Sequence, residues 1–195
     1  MRLKQSFYQG NSVTQIARQL LGKGLFTKIN GKTTAGLIVE TEAYSWKERG
    51  CHAYRSRMTA RNEVMFGPGG IAYVYLCYGI HNLFNVVTNV GGKADAVLIR
   101  ALEPIEGIPE MMHRTGVSKP ARITSGPGKL TLALGIERKH NGTLLTSDKL
   151  WLADLDMTVK KSHIVASPRI GIDYAGEDAK LPWRYTIADS PWITK

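Results

Sequence analysis

The chain has 195 residues, 43% hydrophobic and 22% charged, enough for one ordinary core without disulfides or metal to support it. No apolar run approaches the roughly 20 residues of a membrane span, and the opening MRLKQSFYQG lacks the apolar centre of a secretory signal. Lysine and arginine number 26 against 16 acidic residues, a net charge of +10, which attracts polyanionic partners, DNA or RNA above all. A cytoplasmic address is expected. Cys51 and Cys77 are too few for a structural zinc site, and Cys51-His52 and Cys77-x-x-x-His81 lack its paired spacing. Two reduced thiols, buried or half-buried, no metal and no cofactor are expected.

In chain order, Ser12-Val13-Thr14-Gln15 reads as a capping box, followed by a helix with Val13, Ile16, Ala17, Leu20 and Leu21 on one face and Gly22 as its stop. Leu25 to Ile29 and about Thr34 to Tyr44 read as two strands joined at Asn30-Gly31, residues that tolerate the positive φ of a tight hairpin turn. Residues 45–70 are charged and glycine-rich, a long functional loop. Ile71 to Tyr78 is rich in β-formers and should turn at Gly79-Ile80-His81-Asn82 and return as Leu83 to Thr88. After Gly91-Gly92 comes a strand from Ala96 to Leu102, then Glu103 to Thr115, helical after its prolines. Ser125 is the expected N-cap of a short helix that Gly135 ends, and the tail from Ile164 alternates short strands with turns. The order implies one α+β domain over residues 1–195: a mixed, mainly antiparallel sheet, surrounding helices and a protruding hairpin.

Three groups of residues can carry chemistry. Alternation places Glu40, Glu42 and Tyr44 on one face of a strand end, with Val39, Thr41 and Ala43 on the other. Two carboxylates and a phenol suit acid–base work, or simply form the solvated face of an edge strand. Tyr73, Tyr75 and Tyr78 crowd one hairpin, as core packing or as platforms for bases. Arg100 stands in an apolar run and needs a carboxylate, either the neighbouring Glu103 or Glu40 and Glu42. Arg49 to Arg61 and Lys129 are generic candidates for phosphate contact.

Together, Ile38-Val39-Glu40-Thr41-Glu42-Ala43-Tyr44, Tyr73-Val74-Tyr75-x-x-Tyr78-Gly79, Leu98-x-Arg100-Ala101-Leu102-Glu103-Pro104 and Ser125-Gly126-Pro127-x-Lys129-Leu130 resemble the alkyladenine (3-methyladenine) DNA glycosylase family of the mammalian type. The resemblance runs from the first helix to Ser190-Pro191-Trp192. It implies a metal-independent, monofunctional repair enzyme that flips damaged purines out of double-stranded DNA and hydrolyses their bond to the sugar. The substrates implied are of the 3-methyladenine, 7-methylguanine, hypoxanthine and ethenoadenine class. By position, it makes Glu42 the general base and Arg100 a holder of the attacking water, close to the backbone of Ile170. Tyr44 becomes one wall of the base pocket, His52 and Tyr75 the opposite wall, and Asn85 the residue that disfavours the amino group of guanine. Tyr78 becomes the wedge in the duplex, with Met65, Tyr73 and Lys129 touching DNA. His52 is the candidate acid for neutral bases, and a monomer of minimal bacterial form is expected. The sequence departs from the family pattern at His81, where an aromatic is expected, at Cys77, in a loop before His52 one residue shorter, and between Asn85 and Arg100, longer by two. A non-enzymatic RNA-binding module akin to the C-terminal part of tRNA formyltransferases is the second reading, and a metal-dependent nuclease the third.

Overall fold

The computed structural model describes residues 1–10 and 12–193. Helices α1 (Gln5–Tyr8) and α2 (Val13–Leu20) open the chain. Ser12 Oγ accepts from the N–H of Gln15 at 3.3 Å, as a capping residue should, and α2 buries Val13, Ile16, Ala17 and Leu20. Strands β1 (Gly24–Ile29) and β2 (Lys32–Tyr44) form the expected hairpin. Asn30 and Gly31 take φ of 52° and 78°, the double positive that a two-residue turn of this hand demands.

Strands β3 (Ala72–Cys77), β4 (His81–Thr88) and β5 (Asp95–Glu106) follow, then helices α3 (Ile108–Thr115) and α4 (Pro127–Leu134). The last strands are β6 (Leu150–Ala153), β7 (Ile164–Ser167) and β8 (Arg184–Ile187). The sheet order is β3-β4-β5-β2-β1-β6, every strand pair is antiparallel, and the β7–β8 pair joins through β8 to β2. The α+β class follows directly, with antiparallel pairing throughout the described strands. Helices α2, α3 and α4 pack on the sheet, and no helix of the described residues is long and apolar enough to cross a membrane.

Strand β2 is central rather than an edge. It pairs with β5 on one side, and on the other with β1 near its start and with β8 near its end. The changeover coincides with paired irregularities: Ile38 opposes Leu102, Glu40 opposes Ala101, and Thr41 opposes Ile99. Val39 is thus extra on β2 and Arg100 extra on β5. A bulge of this kind re-aims side chains, and here it reverses which parity meets the main core. Ile38 before it and Ala43 after it both lie in that core, whereas Val39 packs with Leu37 and Ala101 in a separate cluster. Glu40, Glu42 and Tyr44 do share a face; grouping Val39 with Thr41 and Ala43 fails because the bulge intervenes.

Other expectations shift. Strand β5 runs on through Pro104 to Glu106, and the helix starts only at Ile108, because the long β2 offers partners as far as Ala35↔Glu106. Gly107 ends the strand at φ 73°, where a Cβ would lie 2.3 Å from the carbonyl oxygen of Thr33. Ser125 does not cap α4: Gly126 is the N-cap residue, and Ser125 Oγ donates to the carbonyl of Ile193. The hairpin turns at Tyr78-Gly79-Ile80, with His81 already paired to Cys77. Residues 45–70 form a loop with two short 3-10 turns. Cys51 is buried and Cys77 half-buried, and neither is in a disulfide.

Candidate active site

A cleft of about 790 Å³ opens between the β3–β4 hairpin, the start of α4 and the loop after β7. Tyr44, His52, Met65, Tyr73, Tyr75, Tyr78, Asn85, Arg100, Lys129 and Ile170 all contribute to its walls. Six of these ten lie in the four sequence motifs, and His52, Met65, Asn85 and Ile170 lie outside them.

Glu42 lies beneath this cleft, 0% exposed, and each of its oxygens is engaged. Oε1 accepts from the backbone N–H of Ile170 at 2.8 Å, and Oε2 accepts from the Tyr44 hydroxyl at 2.7 Å. Arg100 Nη1 stands 3.4 Å from Oε2. Those three neighbours line the cleft, so anything reaching Glu42 must pass between Tyr44, Arg100 and Ile170. Burial, with the Glu42 charge beside it, raises the Tyr44 pKa well above that of an ordinary phenol. Tyr44 therefore keeps its proton and donates it, as an acceptor-only carboxylate requires.

Arg100 is held from behind. Its Nε donates to Glu40 Oε1 at 2.9 Å, and Arg184 Nε donates to the same oxygen at 2.7 Å. Glu103, the local alternative, is exposed and takes no part. Burial opposes the Arg100 charge, but Glu42 and Glu40 outweigh it and raise its pKa. The bulge that makes Arg100 supernumerary on β5 is what turns its guanidinium to this side of the sheet.

A second guanidinium, missed in the sequence, completes the floor. Arg169 Nη1 and Nη2 each donate to one oxygen of Glu48 at 2.8 Å, and Nη1 also donates to the carbonyl of Ala43 at 2.9 Å. Its guanidinium lies 4.7 Å from the centre of the Tyr44 ring. Three carboxylates (Glu40, Glu42 and Glu48) thus face three guanidiniums (Arg100, Arg169 and Arg184), so the cluster is neutral with Glu42 ionised. An uncompensated ion at this depth would cost several kcal/mol.

The opposite wall is aromatic. His52 meets Tyr75 edge-on at 4.7 Å between ring centres, and Tyr73 stacks at a tilt 5.3 Å from Tyr75. His52 Nδ1 and the Tyr73 hydroxyl are 2.9 Å apart. His52 keeps an open side toward the cleft, but the protein crowds it elsewhere, and this burial, with Arg61 nearby, lowers its pKa to about 4. At neutral pH it is an uncharged imidazole, which argues against its expected service as a proton-donating cation. Tyr73, its pKa raised by burial to about 12, keeps its proton. Asn85 Nδ2 donates to the Tyr73 carbonyl at 3.2 Å, which fixes the amide orientation because that carbonyl can only accept.

Two expected DNA contacts are misplaced in one respect. Tyr73 and Met65 are 1% and 2% exposed, so they can touch only what enters the cleft and not the duplex outside. Their alternating strand and turn positions gave no sign of that burial. Tyr78, by contrast, is 85% exposed at the hairpin turn with φ 48°, beside Ile80 at 72%. Lys129 is exposed at the start of α4 and is, among the described residues, the one lysine lining the cleft. Tyr174, which no motif singled out, stands exposed on the lip with its hydroxyl donating to the carbonyl of Gly50 at 3.3 Å. Among the described residues no group of three His, Cys, Asp or Glu side chains could hold a metal ion.

Comparison with known proteins gives the same direction as the cleft. The family model described as methylpurine-DNA glycosylase matches residues 6–191. A protein of Chlamydia felis, named as a candidate 3-methyladenine DNA glycosylase, is 45% identical over 188 residues, covering 95% of each chain. Relatives with the same name from Bacillus cereus strain G9842 and Clostridium tetani are each 42% identical and covered in full, as is this chain. The chain belongs to the methylpurine-DNA glycosylase family and is a DNA N-glycosylase.

Proposed function

We propose that the chain flips a damaged purine from double-stranded DNA into this cleft and hydrolyses its N-glycosidic bond with water activated by Glu42, leaving an abasic site. The observation that carries this reading is the Glu42 carboxyl group, buried beneath the cleft with the Ile170 N–H, the Tyr44 hydroxyl and Arg100 all directed at its oxygens. Structure alone would not bury so many charges; an apolar replacement of equal volume is often as stable.

As the bond from C1′ to the purine nitrogen breaks, its electrons leave with the base and the sugar gains oxocarbenium character. Glu42 stabilises that positive charge and takes a proton from the water that attacks C1′. Arg100 and the backbone at Ile170 hold the water. The base lies between Tyr44 and the His52–Tyr75 wall, whose π faces favour a ring made cationic by alkylation. For neutral hypoxanthine or an etheno adduct, uncharged His52 serves as a hydrogen-bond partner to the base. Asn85 disfavours the exocyclic amino group of normal guanine, and Tyr78 fills the gap left in the duplex. The protein works as a monomer.

Base release from duplex oligonucleotides carrying one hypoxanthine or one 7-methylguanine, with EDTA present, tests this reading against the other two. Release by the wild type and none by Glu42→Gln is the expected result. Tight binding without release from any lesion would favour the RNA-binding-type module, and strand cleavage that appears only when a divalent metal replaces the EDTA would favour the nuclease.

A further inference from the structure

Arg169 and Glu48 are buried, charged and outside the residues assigned to chemistry. Arg169 makes more contacts than a structural ion pair needs. Its fork is bidentate to Glu48, and it also donates to the carbonyls of Ala43 and Asp178. Ala43 separates Glu42 from Tyr44, so Arg169 grips the end of β2 between the two groups of the site. The guanidinium lies over the Tyr44 ring at 4.7 Å and over Trp183 at 5.3 Å. The next residue, Ile170, supplies the N–H that holds Glu42 Oε1. Gly50 packs into the same place: a Cβ there would lie 2.9 Å from Glu48 Oε2 and 3.3 Å from Arg169 Nη2.

We propose that Arg169, locked by Glu48, is a positioning residue for base release: it fixes the Ile170 N–H on Glu42 and the Tyr44 ring against the flipped purine, and supplies a second positive charge behind the carboxylate. This rests on Glu42 as the base. Two consequences separate it from mere support. The first is geometric: one guanidinium ties the loop after β7 to the end of β2, and misplacing either by about 1 Å can cost about 10²-fold in rate. The second is electrostatic. Glu42 is faced by Glu40 and Tyr44 from its own strand, by Arg100 from β5, by Arg184 from β8 and by Arg169 from the loop. Removing one cation from this set favours protonation of Glu42, so the acid limb of the rate profile should move to higher pH.

The test uses the full-length protein, duplexes bearing hypoxanthine, and single-turnover rates at saturating enzyme across pH. Arg169→Lys keeps the charge but not the planar fork. Arg169→Gln removes the charge while its amide can still donate to Glu48, so the anion keeps a partner. Expected are rates lower by about tenfold or more in both, duplex affinity within about threefold of wild type, and an acid limb displaced upward only in Arg169→Gln. Glu42→Gln is run alongside. If it is inactive while both variants keep wild-type rates and profiles, Arg169 has no positioning role and Glu42 stands. Loss of melting temperature and rate together, with the limb unmoved in both variants, would reduce Arg169 to structural support. Normal turnover by Glu42→Gln would overturn the reading beneath the proposal and the proposal with it.

Discussion

The floor and the mouth of the cleft use charge in opposite ways. On the floor, Glu40, Glu42, Glu48, Arg100 and Arg169 are all buried, each tied to a partner at fixed distance. At the mouth, Lys129 and Arg61 are exposed, alongside the bare hairpin tip of Tyr78 and Ile80. Charges in a low-dielectric interior act strongly and are little screened by salt, whereas exposed ones attract at range and fade with ionic strength. Rate should therefore be set on the floor, and affinity and its salt dependence at the mouth.

The largest effect expected is on the floor. Glu42→Gln keeps a side chain that can accept from Ile170 but loses the base, so single-turnover release should fall about 10²–10⁴-fold with duplex binding unchanged. Parallel loss of binding would mean that floor and mouth are not separable. Arg100→Met should cost stability too. It leaves Glu42 short of its nearest cation in a site where Arg100 and Glu40 side chains are 7% and 0% exposed. A loss of about 3–5 kcal/mol is expected from urea unfolding. Unfolding close to wild type would show that Arg184 alone satisfies the carboxylates.

That contrast also marks what a sequence discloses. The Asn30-Gly31 turn, the α2 face and the hairpin ending at Tyr78 are local, and each was legible because turn chemistry and periodicity act on neighbours. Alternation put Glu42 and Tyr44 on one face, but the residues alone left Arg100 between Glu103 and the two glutamates, and only the family resemblance brought the backbone of Ile170 to them. The remainder depends on distant pairing. The strand was ended at Leu102, short of Pro104 and Glu106, because nothing local shows how far β2 extends. The extra residues Val39 and Arg100 leave no mark until β2 and β5 are paired. Arg169 and Glu48 are 121 positions apart, and neither stands in a motif. The family resemblance placed Tyr73 among the DNA contacts, while its burial depends on what covers the strand, here the loop of residues 45–70.

At the mouth, effects should be smaller and fall on binding. Tyr78→Ala removes an exposed ring, so folding stability should change by less than about 0.5 kcal/mol. Affinity for lesion duplex should weaken by about 1–3 kcal/mol, the usual worth of an aromatic stacked on bases. An unchanged affinity would take the wedge away from the hairpin. Lys129→Ala should weaken binding to all duplexes alike and lower the slope of log affinity against log salt by about one. Selective loss on lesion duplex would instead bring Lys129 into the pocket.

His52 lies between the two regions, and its titration tells which it belongs to. Its pKa in the folded protein is lowered from the usual 6.5 to about 4, first by burial and then by Arg61. Below about pH 6.5 the unfolded chain takes up a proton that the folded protein refuses until about pH 4. The unfolded state binds more protons in that window, so folding stability falls as pH drops through it and recovers as pH rises. His52→Asn should flatten melting temperature against pH between 4 and 6.5 relative to wild type, and NMR should find the imidazole neutral at pH 6. An imidazole titrating near 6.5 would put a positive charge in the wall at mildly acid pH, where it would repel an alkylated, cationic purine. Release of 7-methylguanine would then decline below pH 6.5 while release of neutral hypoxanthine would not. With the pKa near 4, His52 stays neutral across that range, and the pH profiles for the two bases keep the same shape.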